Sequence, residues 1–523
     1  MQPYSIKAMN LAHFADQAER RHGDCNALIW GDKRWNWSEL NARVNAMAYA
    51  LVHDYKVVKG DRILVQSSNC NQMFESMLAC FRVGAVWVPA NFRGMPDDLS
   101  WMAKSSGAVG LICHADFPEH AKICAPQLAF TISIGASGFA TEYDEIVANH
   151  MGKTMPLAEV TRDDPCWFFF TSGTTGRPKA SVLTHGQMGF VVTNHLCDLL
   201  PGTTEQDATV IVAPLSHGAG IHALLMIARG AATILPAGDK FDATDIWHLI
   251  ETYKVTSLFT VPTILKMLAE DAGVDQYDHS SLRYVIYAGA PMYRVDQIYA
   301  LEKLGPVLVQ YFGLGEVTGN ITVLPPALHS AVQNPRPGTC GYARTGIQIQ
   351  IQDDEGVEVT PGETGEFCII GPAVFAGYWD NDEANAKAFR NGWFRTGDMG
   401  HMDAQGFFYI TGRASDMYIS GGSNIYPREI EEKILMHSDI TEVAIVGIPD
   451  EKWGEIGVAI CVPSAGSNPS ETDLIAFLKP KISSYKMPKE IHFWDSLPKS
   501  AYGKITKKQV REAFLEKRLE KSN

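Results

Sequence analysis

The 523-residue chain contains no run of eighteen or more apolar residues, so a membrane-spanning helix is not expected. Its opening, "MQPYSIKAMNLAHFADQAERR", lacks the continuous apolar stretch and small-residue cleavage site of a secretory signal, and a cytoplasmic chain is expected. The ten cysteines include no CxxC pair, which argues against a zinc knuckle or a disulfide framework and leaves buried thiols. Positive charge is also scarce overall. A formal net charge of -14 argues against nucleic acid as a general partner, because phosphate-backbone binding relies on clustered Lys and Arg. Internal repeats and low-complexity tracts are absent, which speaks against a solenoid or a disordered scaffold.

What remains is ordinary globular composition, 46% hydrophobic and 20% charged, at a length where more than one domain is expected. One region departs from the acidic average: from Lys479 to Asn523 there are twelve Lys/Arg against five Asp/Glu. The last dozen residues read as a solvated helix. Earlier, "RILVQSSNCNQMFESMLACFRVGAVWVPAN" passes from a β-branched run through Ser/Asn capping residues into Met73, Met77, Leu78 and Phe81 at helical spacing. It then enters a second strand, completing a βαβ unit. "SLFTVPTILKMLAE" and "LRYVIYAGAPM" repeat the theme, so an α/β fold with parallel-type sheets flanked by helices is expected. Past Gly365 the strands shorten, as in "GEFCIIG" and "GFFYITG". The boundary is expected at "YITGRASD", dividing a large domain, 1–411, from a small α/β domain, 412–523.

Within the large domain, "CWFFFTSGTTGRPKAS" breaks from a buried-strand pattern into Thr, Ser and Gly. A loop of that composition at a strand end can surround phosphate oxygens with backbone N–H groups and hydroxyls. It is not a Walker A sequence, because Gly173, Gly176 and Lys179 are spaced G-x-x-G-x-x-K with no hydroxyl after the lysine. A second cluster, "QYFGLGEVTGN", approaches a dinucleotide fingerprint, but its last interval is one residue too long. Glu316, inside that turn, suits a Mg²⁺ ligand beside phosphates, since Mg²⁺ prefers one or two carboxylates plus phosphate oxygens.

Six segments, "TSGTTGRPK" (171–179), "AGAP" (288–291), "YFGLGE" (311–316), "GWFRTGD" (392–398), "GRASDMYISGGSNIYPREIE" (412–431) and "PKSAYGKI" (498–505), occur in the order found in the adenylate-forming superfamily. Over essentially its whole length the chain resembles an AMP-forming acyl-CoA synthetase of the fatty or aryl acid–CoA ligase type. The resemblance implies a large adenylation domain with a small mobile C-terminal domain. It also implies a two-step reaction: a carboxylic acid and MgATP give an acyl-adenylate and pyrophosphate, and CoA then attacks to give a thioester and AMP. ATP, CoA and a carboxylic acid are the partners it implies, with Mg²⁺ as cofactor and a homodimer as the assembly to test for.

The same resemblance assigns residues. Thr171, Ser172, Gly173, Thr174, Thr175 and Lys179 would hold the β- and γ-phosphates. Gly289, Ala290, Pro291 and Phe312 would wall the adenine, with Gly313 and Gly315 beside the nucleotide and Glu316 on Mg²⁺. Asp398 would accept both ribose hydroxyls, and Arg413 would reach the same ribose. His217, in "APLSHGAGIHALLM", would border the acid's carboxylate, whereas His222 receives no role. Lys504 would sit between the attacking carboxylate and the α-phosphate, orienting one and offsetting the charge of the other. Rotation about Ser415 would then withdraw Lys504 and present Gly421, Gly422 and Ser423 to the thiol, beside Trp453, Gly454 and Glu455.

Two positions depart from the family pattern. Gly315 stands where Thr is usual, and Ser415 where the hinge usually carries Lys or Asp. If Gly315 merely lacks a hydroxyl, Gly315→Thr should be tolerated and should tighten AMP binding; the other option is a left-handed backbone angle that only glycine adopts cheaply. An amino-acid-activating module, a luciferase-like oxygenase and a non-catalytic nucleotide-binding protein are the alternative functions. With Gly218, Ala219, Gly220 and Ile221 after His217 and no arginine in that stretch, a medium or long aliphatic or aryl acid is expected over a dicarboxylate.

Overall fold

The structure is a computed structural model describing residues 6–171, 177–238, 240–290, 292–329, 336–421, 423–499 and 505–522. The first βαβ unit forms as the sequence pattern implies. Arg62–Gln66 and Val86–Pro89 pair in parallel, connected by the helix Asn71–Val83. Every residue of that helix is buried, which makes it an internal layer rather than an amphipathic cover. Its cap is Cys70 rather than a neighbouring Ser or Asn, the Met73 N–H donating to Cys70 Sγ at 3.4 Å. Gly84 ends the helix in the left-handed region at φ 72°, where a Cβ would be strained. Glu75 is tolerated inside because Arg43 and Asn71 donate to its carboxylate at 2.7 and 2.8 Å.

Among the described residues, a seven-stranded sheet runs in the order Lys179–Thr184, Pro165–Thr171, Val86–Pro89, Arg62–Gln66, Gly110–His114, Phe130–Ile134, Thr141–Glu142. A second sheet joins a parallel half to an antiparallel half. Ser257–Thr260, Tyr284–Tyr287 and Leu308–Phe312 are parallel neighbours, and the antiparallel strands include Gly365–Ile370, Trp393–Met402 and Phe407–Arg413. This agrees with the α/β expectation but not with the shorter strands expected past Gly365: Trp393–Met402, Ile440–Asp450 and Gly454–Pro463 run for 10, 11 and 10 residues, because antiparallel neighbours pair along their whole length there, whereas Val86–Pro89 and Ser257–Thr260 have 4. One continuous core, including Trp37, Phe74, Trp87, Trp167 and Phe367, unites the two sheets.

The strand Phe407–Arg413 ends in a 3₁₀ turn, Ala414–Asp416, and a five-stranded sheet with its own core follows. The basic C-terminal helix, Lys507–Ser522, is more than a solvated surface. Val510 and Phe514, four residues apart on one face, are buried against Ile448, Val458 and Ile460. Cys25 and Cys197 are exposed and the other eight cysteines are buried; burial raises the Cys113 thiol to about 12. No helix among the described residues is long and apolar enough to cross a membrane.

Candidate active site

The phosphate-loop motif lies where the strand Pro165–Thr171 turns into the antiparallel strand Lys179–Thr184, with Thr171 opposite Lys179. Ser172, Gly173, Thr174, Thr175 and Gly176 lie outside the described residues, as do Pro291, Gly422 and Lys504. The flanks of the loop converge on Glu316. Thr171 Oγ1 donates to Glu316 Oε1 at 3.0 Å, and the Tyr378 hydroxyl donates to the same oxygen at 2.9 Å. Lys179 Nζ stands over the Tyr378 ring, 4.2 Å from its centroid. Tyr378 therefore steadies both the carboxylate and the cation, a role that sequence reasoning did not give it. Burial and the Glu316 charge push its phenol pKa up, keeping it a proton donor.

Glu316 itself is buried in the 3₁₀ turn Gly315–Val317, which follows the strand Leu308–Phe312. A Cβ on Gly313 would lie 2.4 Å from the Gly319 Cα, so close backbone approach explains that glycine in the near-fingerprint. Gly315 has a different explanation from either one raised by the sequence. Its φ is not in the left-handed region, yet a Cβ there would lie 2.7 Å from Phe169 Cδ1 and Cε1 and 2.9 Å from Thr171 Cγ2. The space a threonine would need is filled by an aromatic ring, so Gly315→Thr is disfavoured rather than tolerated.

Phe169 also meets His217 edge to face, with centroids 5.0 Å apart and planes at 67°. One ring thus separates the position beside Glu316 from the imidazole expected to border the acid. His217 immediately precedes the helix Gly218–Arg229 without a side-chain capping bond, and its Nδ1 lies 3.1 Å from Ser216 Oγ.

The residues expected to wall the adenine lie at adjacent strand ends. Tyr287 pairs with Gln310, so Gly289 and Phe312 each lie two residues beyond the same rung. Gly289 takes φ 82°, and Phe312 is half-buried with its ring edge-on to Phe367 at 5.4 Å. Asp398 and Arg413 are direct cross-strand partners, with Arg413 Nε 2.7 Å from Asp398 Oδ1. Asp398 is 7% exposed and Arg413 44%, so the carboxylate is fixed while the guanidinium reaches solvent.

In the small domain, Ser415 is exposed and its hydroxyl donates to Asp416 Oδ1 at 3.3 Å. Gly421, at φ 58°, passes close to Trp453; a Cβ would lie 3.0 Å from that indole. Trp453 is 41% exposed and carries Lys452 and Lys489 over its ring at 5.2 and 5.3 Å. Glu455 accepts from the Ile419 N–H at 2.9 Å, tying the segment to the strand Tyr418–Ser420, which pairs with Ser423–Ile425.

A family model described as AMP-binding enzyme matches residues 14–379, and one described as AMP-binding enzyme C-terminal domain matches residues 429–504. The chain belongs to the AMP-binding enzymes. A feruloyl-CoA synthase of Amycolatopsis sp is 35% identical over 512 residues, covering 97% of this chain and 100% of the relative. An indoleacetate–CoA ligase of Aromatoleum aromaticum is 31% identical, covering 97% and 99%. Among solved structures, the o-succinylbenzoate CoA synthetase of Bacillus subtilis in complex with its acyl-adenylate intermediate superimposes with a TM-score of 0.85. It is 29% identical and covers 95% of this chain and 97% of that one. In this AMP-binding enzyme the motif order and the large-plus-small α/β architecture coincide along the whole chain.

Proposed function

We propose that this chain is an ATP-dependent acid–CoA ligase, converting a carboxylic acid, ATP and CoA into acyl-CoA, AMP and pyrophosphate through an acyl-adenylate. The observation that carries the reading is the convergence of Thr171 and Tyr378 on Glu316, with Lys179 over the Tyr378 ring and His217 one aromatic ring away. That spacing suits a triphosphate laid along the loop with its α-phosphate turned toward the acid.

In the first half-reaction a carboxylate oxygen attacks the α-phosphorus and pyrophosphate departs. Lys179 and the loop residues 171–175 hold the departing phosphates, while Asp398 and Arg413 fix the ribose and Gly289, Ala290, Pro291 and Phe312 the adenine. His217 and Lys504 orient the carboxylate, and Lys504 offsets the negative charge gathering at the α-phosphate. The donor set at Glu316 fits Mg²⁺, because one carboxylate is what Mg²⁺ takes when phosphates supply the rest. When bound, the ion neutralises phosphate charge. We place the domain division at 411/412, with rotation about Ser415 bringing Gly421, Gly422 and Ser423 to the CoA thiol. The thiol sulfur then attacks the acyl carbon and releases AMP. The acid is a medium or long aliphatic or aryl acid, and the setting is cytoplasmic.

The test separates the half-reactions. Lys504→Ala should lower acid-dependent ATP–pyrophosphate exchange a hundredfold or more, while thioester formation from a supplied acyl-adenylate largely survives. Equal loss in both would remove Lys504 from the first step. Absence of exchange in the unaltered enzyme with every acid tried, from acetate to palmitate and the aryl acids, would overturn the ligase reading.

A further inference from the structure

Asn69 lies among the Ser and Asn residues that precede the helix Asn71–Val83, but it does not cap that helix, since Cys70 takes that place. Its amide makes two bonds to a distant loop instead. Asn69 Nδ2 donates to the Ala213 carbonyl at 3.0 Å, and the Leu215 N–H donates to Asn69 Oδ1 at 2.8 Å. These partners stand 144 and 146 residues further along the chain, in the segment "APLSHG" that carries His217.

The clasp asks for a particular side chain. A carbonyl can only accept and a peptide N–H can only donate, so whatever joins them must offer a donor and an acceptor side by side. A carboxamide does so. An aspartate of the same shape would set a second acceptor against the Ala213 carbonyl. Ala213 is 7% exposed and Leu215 1%, and backbone groups in a buried loop lack the ladder partners that a strand would give them.

The clasp also joins two sheets. Asn69 follows the strand Arg62–Gln66 of the seven-stranded sheet, whereas Ala213 follows Ala208–Ile211, a parallel neighbour of Ser257–Thr260 in the other sheet. Both lie just past the carboxyl ends of their strands, where open α/β sheets bind their ligands. The Thr171–Glu316 bond crosses between the same two sheets on the phosphate side. Asn69 does so on the side of His217. That histidine depends on the join twice. Its N–H closes a turn on the carbonyl of Pro214, which lies between the two clasped residues, at 3.0 Å. Its ring stands edge-on to Phe169, which belongs to the seven-stranded sheet. Gly220 shows how little slack the segment has: a Cβ there would lie 2.1 Å from the Leu215 carbonyl oxygen and 2.8 Å from Trp167 Cη2.

Resting on the acid–CoA ligase reading, in which His217 orients the carboxylate, we infer that Asn69 is a positioning residue for adenylation. It holds the His217 segment of one sheet against the other sheet and so sets where the imidazole stands relative to Phe169 and Glu316. Asn69 acts through His217, and therefore on the use of the acid rather than on the binding of ATP.

The experiment is a double-mutant cycle of Asn69→Ala and His217→Ala, read in ATP–pyrophosphate exchange as kcat/KM for the acid and KM for ATP. The acid is whichever of acetate, decanoate, palmitate, benzoate and cinnamate turns over fastest. Asn69→Ala should lower kcat/KM for the acid about 10- to 100-fold, the scale of a reacting group misplaced by about 1 Å, and leave KM for ATP within about twofold. In the His217→Ala background the same change should lower it less than about threefold, because the route from Asn69 to the acid is already gone. Asn69→Asp, which keeps the size and the acceptor but loses the donor, supplies the same cycle if the alanine variant does not fold. Equal losses in both backgrounds, a KM for ATP that rises in step with that for the acid, an unchanged kcat/KM, or a His217→Ala enzyme as active as the unaltered one overturns the inference and leaves the ligase reading intact. Absence of exchange in the unaltered enzyme with all of these acids overturns the ligase reading and this inference with it.

Discussion

Gly315→Ala tests whether an aromatic ring, rather than backbone conformation, demands the glycine beside Glu316. The new Cβ would sit 2.7 Å from two carbons of Phe169, against an ordinary carbon–carbon contact of about 3.5–4 Å, so the ring must retreat by roughly 1 Å. It has little room to do so. Phe169 is 8% exposed, with Trp167 tilted against it at 6.0 Å and His217 edge-on at 5.0 Å. Overpacking of this kind costs about 1–3 kcal/mol. Because Phe169 also packs edge to face with His217, a displaced ring should disturb that imidazole, and the KM for the acid should rise along with the loss of stability. Phe169→Leu removes the obstructing ring edge, so Gly315→Ala should cost less in that background, with a coupling of about 1–2 kcal/mol. The assay is a double-mutant cycle in urea midpoints of the large-domain transition, with acid KM measured for each variant. Single costs that add to within about 0.5 kcal/mol, or a neutral Gly315→Ala, would refute the steric account.

Tyr378→Phe keeps the ring under Lys179 but removes the donor to Glu316. At about 1.5–3 kcal/mol for a hydrogen bond to a charged group, kcat/KM for ATP should fall roughly 10- to 100-fold and the Mg²⁺ midpoint should rise; an unmoved Mg²⁺ titration would deny Tyr378 its part in holding Glu316. Asp398→Ala should weaken AMP by a similar factor in calorimetry, provided circular dichroism shows an intact fold, and unchanged affinity would take Asp398 out of the ribose site. Burial lowers the His185 pKa to about 4, so the folded chain keeps it neutral while the unfolded chain protonates it near 6.5. Stability should therefore fall as pH drops from about 6.5 toward 4, and His185→Gln, which keeps an acceptor for the Leu11 N–H, should make that fall shallower; identical urea midpoints for both proteins across this range would exclude the assignment.

The βαβ unit from Arg62 to Pro89 could be read from the sequence because hydrophobic periodicity and the stop at Gly84 act over a few residues. The motif segments were readable for a related reason: their composition and order are local features of the sequence. Reading failed where neighbours came from far along the chain. Tyr378 lies 62 residues beyond the carboxylate it holds, and "FAGYWDN" shows no local sign of that bond. Gly315 read as a missing hydroxyl or a special backbone angle because Phe169, on a different sheet, is what occupies the space of its side chain. By itself, then, the sequence determined the fold class, the motif order and the family, since these rest on short-range periodicity and on the identity and order of local segments. Only the tertiary structure decided which side chains steady Glu316 and why residue 315 has no side chain, because packing brings together residues whose separation along the chain carries no energetic signal.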